Sequence, residues 1–310
     1  MASVLIAPAS AFLNQHPKVR RLLLPAGALL AFLLFLVLTF PYDVLARRIE
    51  MEAQRAGVEL TIGSAGAGGF ASLKARDVRV RVVPASGEPW PELRFDRASF
   101  RPDLLALILR RSSFSFSVAG YGGAARGHVS LSSDPRLPGV SSFRIDADDL
   151  DLSTLPLREM MGLAAGGKLR LNADFPALQP AEAAHGSLGL QLEGAAITGG
   201  AVLGFIVPRT SIGRVEGSVT MDKGVARVEK ASARGGDIEA DVDGSVSLRP
   251  LLSLSQADLH LRFRPSDRWL NENAAIKGMM GLIQNARQPD GSFLFTFTGP
   301  LARLQSRPGR

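Results

Sequence analysis

The chain has 310 residues, 36 Lys+Arg against 29 Asp+Glu, 32 Gly, 19 Pro, no Cys and a formal net charge of +7. Its length supplies a core without a staple. The missing cysteine excludes disulfides, thiol redox chemistry, Cys-ligated zinc or iron–sulfur centres and a lipidated N-terminal cysteine. Lys18, Arg20 and Arg21 precede the first acid, Asp43, and the rest of the chain is nearly balanced, with its bases and acids interspersed. Much of the high pI comes from 30 Arg against 6 Lys, and two Trp and two Tyr make a poor stacking surface. No nucleic-acid partner is therefore expected.

Residues 1–21 read as a cytoplasmic tail. Leu22 to Phe40 (LLLPAGALLAFLLFLVLTF) carries no charge over 19 residues. As a helix it spans about 28 Å, close to the ~30 Å hydrocarbon core of a bilayer. The expected unit is one transmembrane helix over 22–41, with Leu22, Leu30, Phe32, Phe35 and Phe40 among its lipid-facing residues. Lys18, Arg20 and Arg21 hold the N-terminus in the cytoplasm and direct the C-terminal part outward. A cleavable signal peptide has a shorter apolar stretch and a small-residue site, which Val44-Leu45-Ala46 matches only weakly. An uncleaved anchor is thus expected, and membrane lipid is its first partner. Residues 42–56 follow as an amphipathic connecting helix, ended by Gly57. That helix either packs on the first strands or lies on headgroups or a partner protein, and packing is the simpler expectation.

From residue 57 the hydrophobic period changes to two, so 57–305 reads as a β-rich domain. Val78, Val80 and Val82 alternate with Arg79 and Arg81, and Leu259, Leu261 and Phe263 alternate with His260, Arg262 and Arg264. Phe114 and Phe116 alternate with serines, Phe293 to Thr298 repeats the pattern, and Phe143 to Asp148 has a charged polar phase. Such alternation marks antiparallel strands with one buried and one wetter face. The motif Gly-x-apolar-x-apolar recurs at Gly127, Gly167, Gly217 and Gly244, where each glycine suits a turn or bend. The uneven spacing excludes a propeller and favours one long sheet of successive hairpins. Two short helices interrupt it. One covers Leu155 to Ala165. The other lies within Ser266 to Arg287, with Ser266 as N-cap and Trp269, Leu270, Ile276, Met279, Met280 and Ile283 as an apolar stripe that reads as core rather than groove. Residues 306–310 are expected to fray.

No catalytic or metal site emerges. His16, His128, His185 and His260 have no partner at the helical spacing that binds zinc. The acidic run Asp146 to Asp151 fails as a calcium loop. Counted from Asp146, its sixth position is Asp151 and its twelfth Leu157, where glycine and glutamate are needed. It reads as the solvated face of a strand entering a turn. Gly63 to Phe70 lacks the Gly-Lys-Ser/Thr ending of a phosphate loop, Gly199-Gly200-Ala201 and Gly235-Gly236-Asp237 read as hairpin turns, and no Gly-x-Ser-x-Gly elbow occurs. Neither an enzyme nor a cofactor is expected.

Phe40-Pro41-Tyr42 after one anchor, a β-rich exported domain and the stretch Ala231 to Phe263 (ASARGGDIEADVDGSVSLRPLLSLSQADLHLRF) resemble the type II secretion system protein N family, in its longer, non-enteric form. Phe297 to Leu301 is similar to that family's last strand, and Leu152 to Asp174 looks more like the wider AsmA-type envelope proteins. These motifs are structural and none is catalytic. The resemblance implies a mainly β chain: a single transmembrane helix, then an elongated, twisted antiparallel sheet forming an AsmA-like trough or sandwich. It further implies a bacterial inner-membrane, single-pass protein with a periplasmic domain, serving type II secretion by contact with other subunits of that system. The AsmA side of the resemblance implies an alternative, an envelope lipid-binding or lipid-transfer protein with an acyl lipid ligand. Val78, Val80, Val82, Phe114, Phe116, Leu259, Leu261 and Phe263 are then the candidate groove lining. An ordinary closed core predicts the same alternation.

Overall fold

The structure, a computed structural model, describes residues 42–55, 58–68, 72–83, 90–103, 106, 113–132, 140–202, 205–249 and 254–309. The expected anchor, with Leu22, Leu30, Phe32, Phe35 and Phe40, and the charges Lys18, Arg20 and Arg21 lie outside these residues. Among the described residues no helix is long and apolar enough to cross a membrane.

The first element is helix α1 (Tyr42–Arg55), which packs on strand β1 (Val58–Ala67). Its Glu50 carboxylate accepts a hydrogen bond of 2.7 Å from the Ile62 backbone N–H. β1 ends the sheet, so this bond satisfies a donor that an edge strand would otherwise offer to a foreign chain.

The chain then runs back and forth through β2 (Leu73–Val82), β3 (Leu93–Pro102), β4 (Ser113–Gly120), β5 (Gly123–Leu131), β6 (Val140–Asp151), β7 (Leu163–Ala177) and β8 (His185–Val202). It continues through β9 (Phe205–Ile206), β10 (Thr210–Asp222), β11 (Val225–Arg234), β12 (Ile238–Ser247), β13 (Gln256–Pro265), β14 (Phe293–Pro300) and β15 (Gln305–Pro308). All pairings are antiparallel and follow chain order from β1 to β15, except that the two-residue β9 hangs on β8 and lets β10 pair with β8. Tight turns enforce part of this order, because a strand that ends in one meets its predecessor first, and longer connections such as that between β13 and β14 keep it. Two of the turns have only two residues, Tyr121-Gly122 and Lys223-Gly224, all at positive φ, as a type I′ hairpin requires.

The result is one open antiparallel sheet, and the alternative of a sandwich is not formed. Strands touch their hydrogen-bonded neighbours, and no second layer of strands faces them among the described residues. The register keeps one side apolar across its whole width. A single row of cross-strand partners reads Ala67, Leu73, Phe100, Phe116, Gly127, Ile145, Ala173, Leu188, Val219, Val228, Gly244, Leu259 and Phe297. Every member is apolar or glycine.

Four further sequence expectations are corrected. The recurring glycines 127, 167, 217 and 244 sit inside strands, not at turns. Gly127 lies under the Phe116 ring, where an added Cβ would stand 2.5 Å from the ring edge, so the missing side chain makes room for the neighbouring aromatic. Gly199-Gly200-Ala201 is likewise inside β8, and only Gly235-Gly236-Asp237 forms a hairpin connection, between β11 and β12. The helix expected over Leu155 to Ala165 shrinks to α2 (Leu157–Met161), because Gly162 adopts a left-handed conformation and Leu163 already begins β7. The chain end does not fray at Ser306, since β14 supplies an unpaired edge on which Gln305–Pro308 forms β15.

The second helical region also differs. Instead of one helix it forms α3 (Asp267–Glu272), α4 (Ala274–Met280) and a 3-10 turn (Gly281–Ala286). Ser266 caps α3 as expected, its hydroxyl accepting from the Trp269 N–H at 3.3 Å. Of the expected core stripe only Trp269 is buried, and Met279 is exposed.

Candidate functional site: an uncovered apolar sheet face

Period-two patterning sends alternate side chains to opposite sides of every strand, and the register aligns those sides from strand to strand. A second row of partners on the apolar side reads Ala65, Ala75, Ala98, Val118, Ala125, Ala147, Leu171, Leu190, Gly217 and Ala231. In a two-layer fold the large residues of such a face would be buried. Here most of the buried apolar residues are alanines, among them Ala75, Ala125, Ala147, Ala173, Ala195, Ala233 and Ala257, whose methyls are shielded by their neighbours. The larger residues Phe100, Phe114, Phe116, Ile145, Leu171, Leu190, Val219, Leu259, Leu261 and Phe263 stay half-buried. A sheet that hides its methyl groups and half-exposes its phenyl groups and leucines has one apolar side that no layer of the described residues covers.

Of the expected lining residues, Phe116 and Leu259 are members of the first row, and Phe114, Leu261 and Phe263 are in phase with them on the same side. Val78 is buried, while Val80, Phe114, Phe116, Leu259, Leu261 and Phe263 are half-buried. Val82 is in register with Val58. They do not converge on one spot. Ten strand spacings separate β2 from β13, about 48 Å along the sheet at ~4.8 Å each. The stretch between them is completed by residues that the sequence reading passed over, including Leu169, Leu171, Leu188, Leu190, Leu192, Val215 and Val219. The alternation Leu188-Gly189-Leu190-Gln191-Leu192 carries the signal that would have found them.

Aromatic pairs stiffen both ends of the face. Phe100 and Phe114 are 4.8 Å apart between centroids, and Phe263 stacks near Phe293 at 5.5 Å and Phe295 at 6.2 Å. Phe95 meets Tyr121 edge-on at 5.7 Å, and the Tyr121 hydroxyl accepts a 2.6 Å hydrogen bond from the Arg94 N–H. Such pairs contribute roughly 0.5–1.5 kcal/mol beyond the area they bury.

The opposite side is charged. Arg94 pairs with Glu92 at 2.7 Å, Arg170 with Asp149 at 3.2 Å, Arg264 with Asp290 at 3.2 Å, and Arg144 with Asp174. Glu216 is held by Arg214 and Lys230. The Lys230 hydrogen bond and charge, with a smaller contribution from Arg214, keep its carboxyl below the usual glutamate range. These pairs are solvent-exposed, so each adds little stability and their main effect is to hold this side in water and fix cross-strand register. A shallow concavity of about 800 Å³ on this side is lined by Arg126, Asp146, Arg170, Asn172, Glu216 and Lys230 among others. It contains no aromatic platform, and Arg170, Asn172, Glu216 and Lys230 bond to neighbouring strands.

The acidic run is part of β6. Ala147 is buried on the apolar side, Asp149 takes a positive φ, and Asp151 accepts from the Ser153 N–H and hydroxyl, which lower its pKa. His128 bonds to Ser115 at 3.2 Å and His260 to Asp243 at 3.0 Å, both on the charged side. Among the described residues no three His, Asp or Glu side chains are grouped to hold a metal ion.

One titration is open to measurement. Asp290 accepts from the Ser292 hydroxyl at 2.6 Å and N–H at 3.0 Å, and these bonds, followed by the Arg264 and Arg262 charges, lower its pKa. A lowered carboxylate stabilises the fold fully above its unfolded pKa of about 3.9 and loses that contribution as pH falls through the folded value. Denaturant midpoints of the parent and Asp290→Ala should therefore differ from pH 7 down to about pH 4 and converge below it. A gap that widens in acid would contradict the assignment.

In comparisons with known proteins, no family model, no curated protein and no solved structure matches this chain.

Proposed function

We propose that this protein is an inner-membrane-anchored, periplasmic accessory component of a type II protein secretion system, acting by contact through its β-sheet. The observation that supports a contact role is the apolar face running from β1 to β14 with no covering layer. A surface of that extent is stable in water only when another molecule shares it. The stretch that carries the family resemblance, Ala231 to Phe263, comprises among the described residues the end of β11, the Gly235-Gly236 turn, β12 and most of β13. The charge-free run of 22–40 behind Lys18, Arg20 and Arg21 supports the anchor and its orientation.

The experiment is a deletion strain assayed for exoprotein secretion, with co-purification of secretion subunits on the full chain. Blocked secretion, restored by the parent gene but not by Phe116→Asp, is the expected result. Normal secretion together with no co-purified subunit refutes the reading.

The neutrality of the apolar face favours a second reading, an AsmA-like lipid-binding or lipid-transfer protein whose face holds acyl chains. The two cross-strand rows contain no charged or polar member, the first from β1 to β14 and the second from β1 to β11. Mass spectrometry of lipids extracted from the purified full chain separates the readings. Stoichiometric phospholipid or lipopolysaccharide that is lost in Leu190→Asp supports the second, and lipid no richer than the detergent background refutes it.

A further inference from the structure

The helical cap between β13 and β14 has a composition and an exposure that the sheet does not explain. From Asn273 to Pro289 there is no acid, while Lys277 and Arg287 are both present and exposed. The acids that border the segment are already engaged, Glu272 with Arg268 at 3.0 Å and Asp290 with Arg264 at 3.2 Å. Within it Leu282 is 83% exposed and Met279 37% exposed, and Ile276, Met280 and Ile283 are half-buried. β15, which touches the 3-10 turn, adds the exposed Arg307. Leu282 lies in a 3-10 turn kinked at Ile283 and points to solvent.

From this we infer that the cap is a lipid-contacting tip: Met279 and Leu282 insert between the headgroups of an anionic bilayer while Lys277, Arg287 and Arg307 meet its phosphates. Apolar residues exposed on a short helical segment, with bases and no acids around them, are what an interfacial insertion requires. Each base near an anionic surface adds attraction that salt screens. A protein partner would have to complement a small surface that is both greasy and purely basic, whereas an anionic bilayer supplies both chemistries at once. The tip sits at the β14–β15 end of the sheet and α1 at the other end. The fourteen strands of the path, at ~4.8 Å spacing, give a contour of about 62 Å between them. This contact is therefore far from α1 along the sheet and is a different surface from the cross-strand rows of the proposed function.

The test uses the full chain in nanodiscs of neutral phosphatidylcholine. Because the chain has no cysteine, Met279→Cys carries a single environment-sensitive fluorophore. Added vesicles containing phosphatidylglycerol should raise and blue-shift its emission, and vesicles of phosphatidylcholine alone should do so much less. A change seen when the nanodisc itself contains phosphatidylglycerol, before any vesicle is added, also supports the tip and places its contact on the same membrane. Leu282→Glu, at a side chain already in solvent, should weaken vesicle binding by at least about ten-fold, and Lys277→Glu should weaken it and flatten its salt dependence. No change with either lipid, an equal response in Leu282→Glu, or a response only to periplasmic extract overturns the proposal. Secretion in the deletion strain tests the sheet face independently, so either idea can fail alone.

Discussion

Gly244→Ala is expected to cost roughly 3 kcal/mol of stability, read as a fall in denaturant midpoint at unchanged slope. Two effects act together. Gly244 sits at φ +125°, a conformation that costs an L side chain strain, and an added Cβ would stand 2.1 Å from the Asp258 carbonyl oxygen. That oxygen belongs to β13 backbone, so relief requires β12 and β13 to separate. Their separation would disturb the in-register partners Val242 with Leu261 and Ala240 with Phe263 on the apolar face. The control is Gly278→Ala in α4, where nothing lies within 4 Å of the new methyl and φ is not positive. It should raise stability by about 0.5–1 kcal/mol through the unfolded chain and helix propensity. Equal effects at the two sites would show that backbone approach at Gly244 is not what selects glycine there.

Trp269→Ala should have a comparable effect, about 3–5 kcal/mol for a fully packed indole. Trp269 is 6% exposed and is the single buried member of the expected helical stripe, in α3, which touches α4 and through it the 3-10 turn that contacts β14 and β15. Its indole Nε1 is buried without a hydrogen-bond partner. An unsatisfied donor subtracts from the stabilisation its ring provides, by ~1–3 kcal/mol. Trp269→Phe removes that donor along with some volume and is expected to cost less than about 1.5 kcal/mol. Hydrogen exchange should show 267–286 losing protection in Trp269→Ala while β5 to β10 keep theirs. A large loss in Trp269→Phe would indicate that volume, and not anchoring by an apolar ring, is decisive.

The two variants probe the two parts of the molecule that differ most in how far the sequence reveals them. The strands are visible residue by residue, because a buried and a wet face impose alternation wherever they occur. Val78 to Val82, Phe114 to Phe116 and Leu259 to Phe263 all lie in strands. The glycines were visible but misread. Gly127 and Gly244 have the composition of turns, yet their partners Phe116 and Leu259 show that they yield space to a neighbour across the ladder. The cap was visible as helical and its Met279 was misread as core, since methionine is a residue type of a buried stripe and only position shows it in solvent. β15 was missed because its residues, Gln-Ser-Arg-Pro, have no strand signal of their own. They pair because β14 would otherwise end the sheet with open donors and acceptors. A four-residue edge containing arginine and proline also discourages further addition.

Local chemistry alone determined that the chain is strand-rich, that each strand has one apolar and one polar face, and that one charge-free run precedes the strands, since these follow from side-chain period and transfer energy within a few residues. Only the tertiary structure decided that the apolar faces align into one sheet and that no second layer covers them. Those facts depend on which strand pairs with which and in what register. Alternation is identical in a closed sandwich and an open sheet, so the decision rests with the pairing that sets strands side by side from β1 to β15 and leaves none of the described strands over the apolar side.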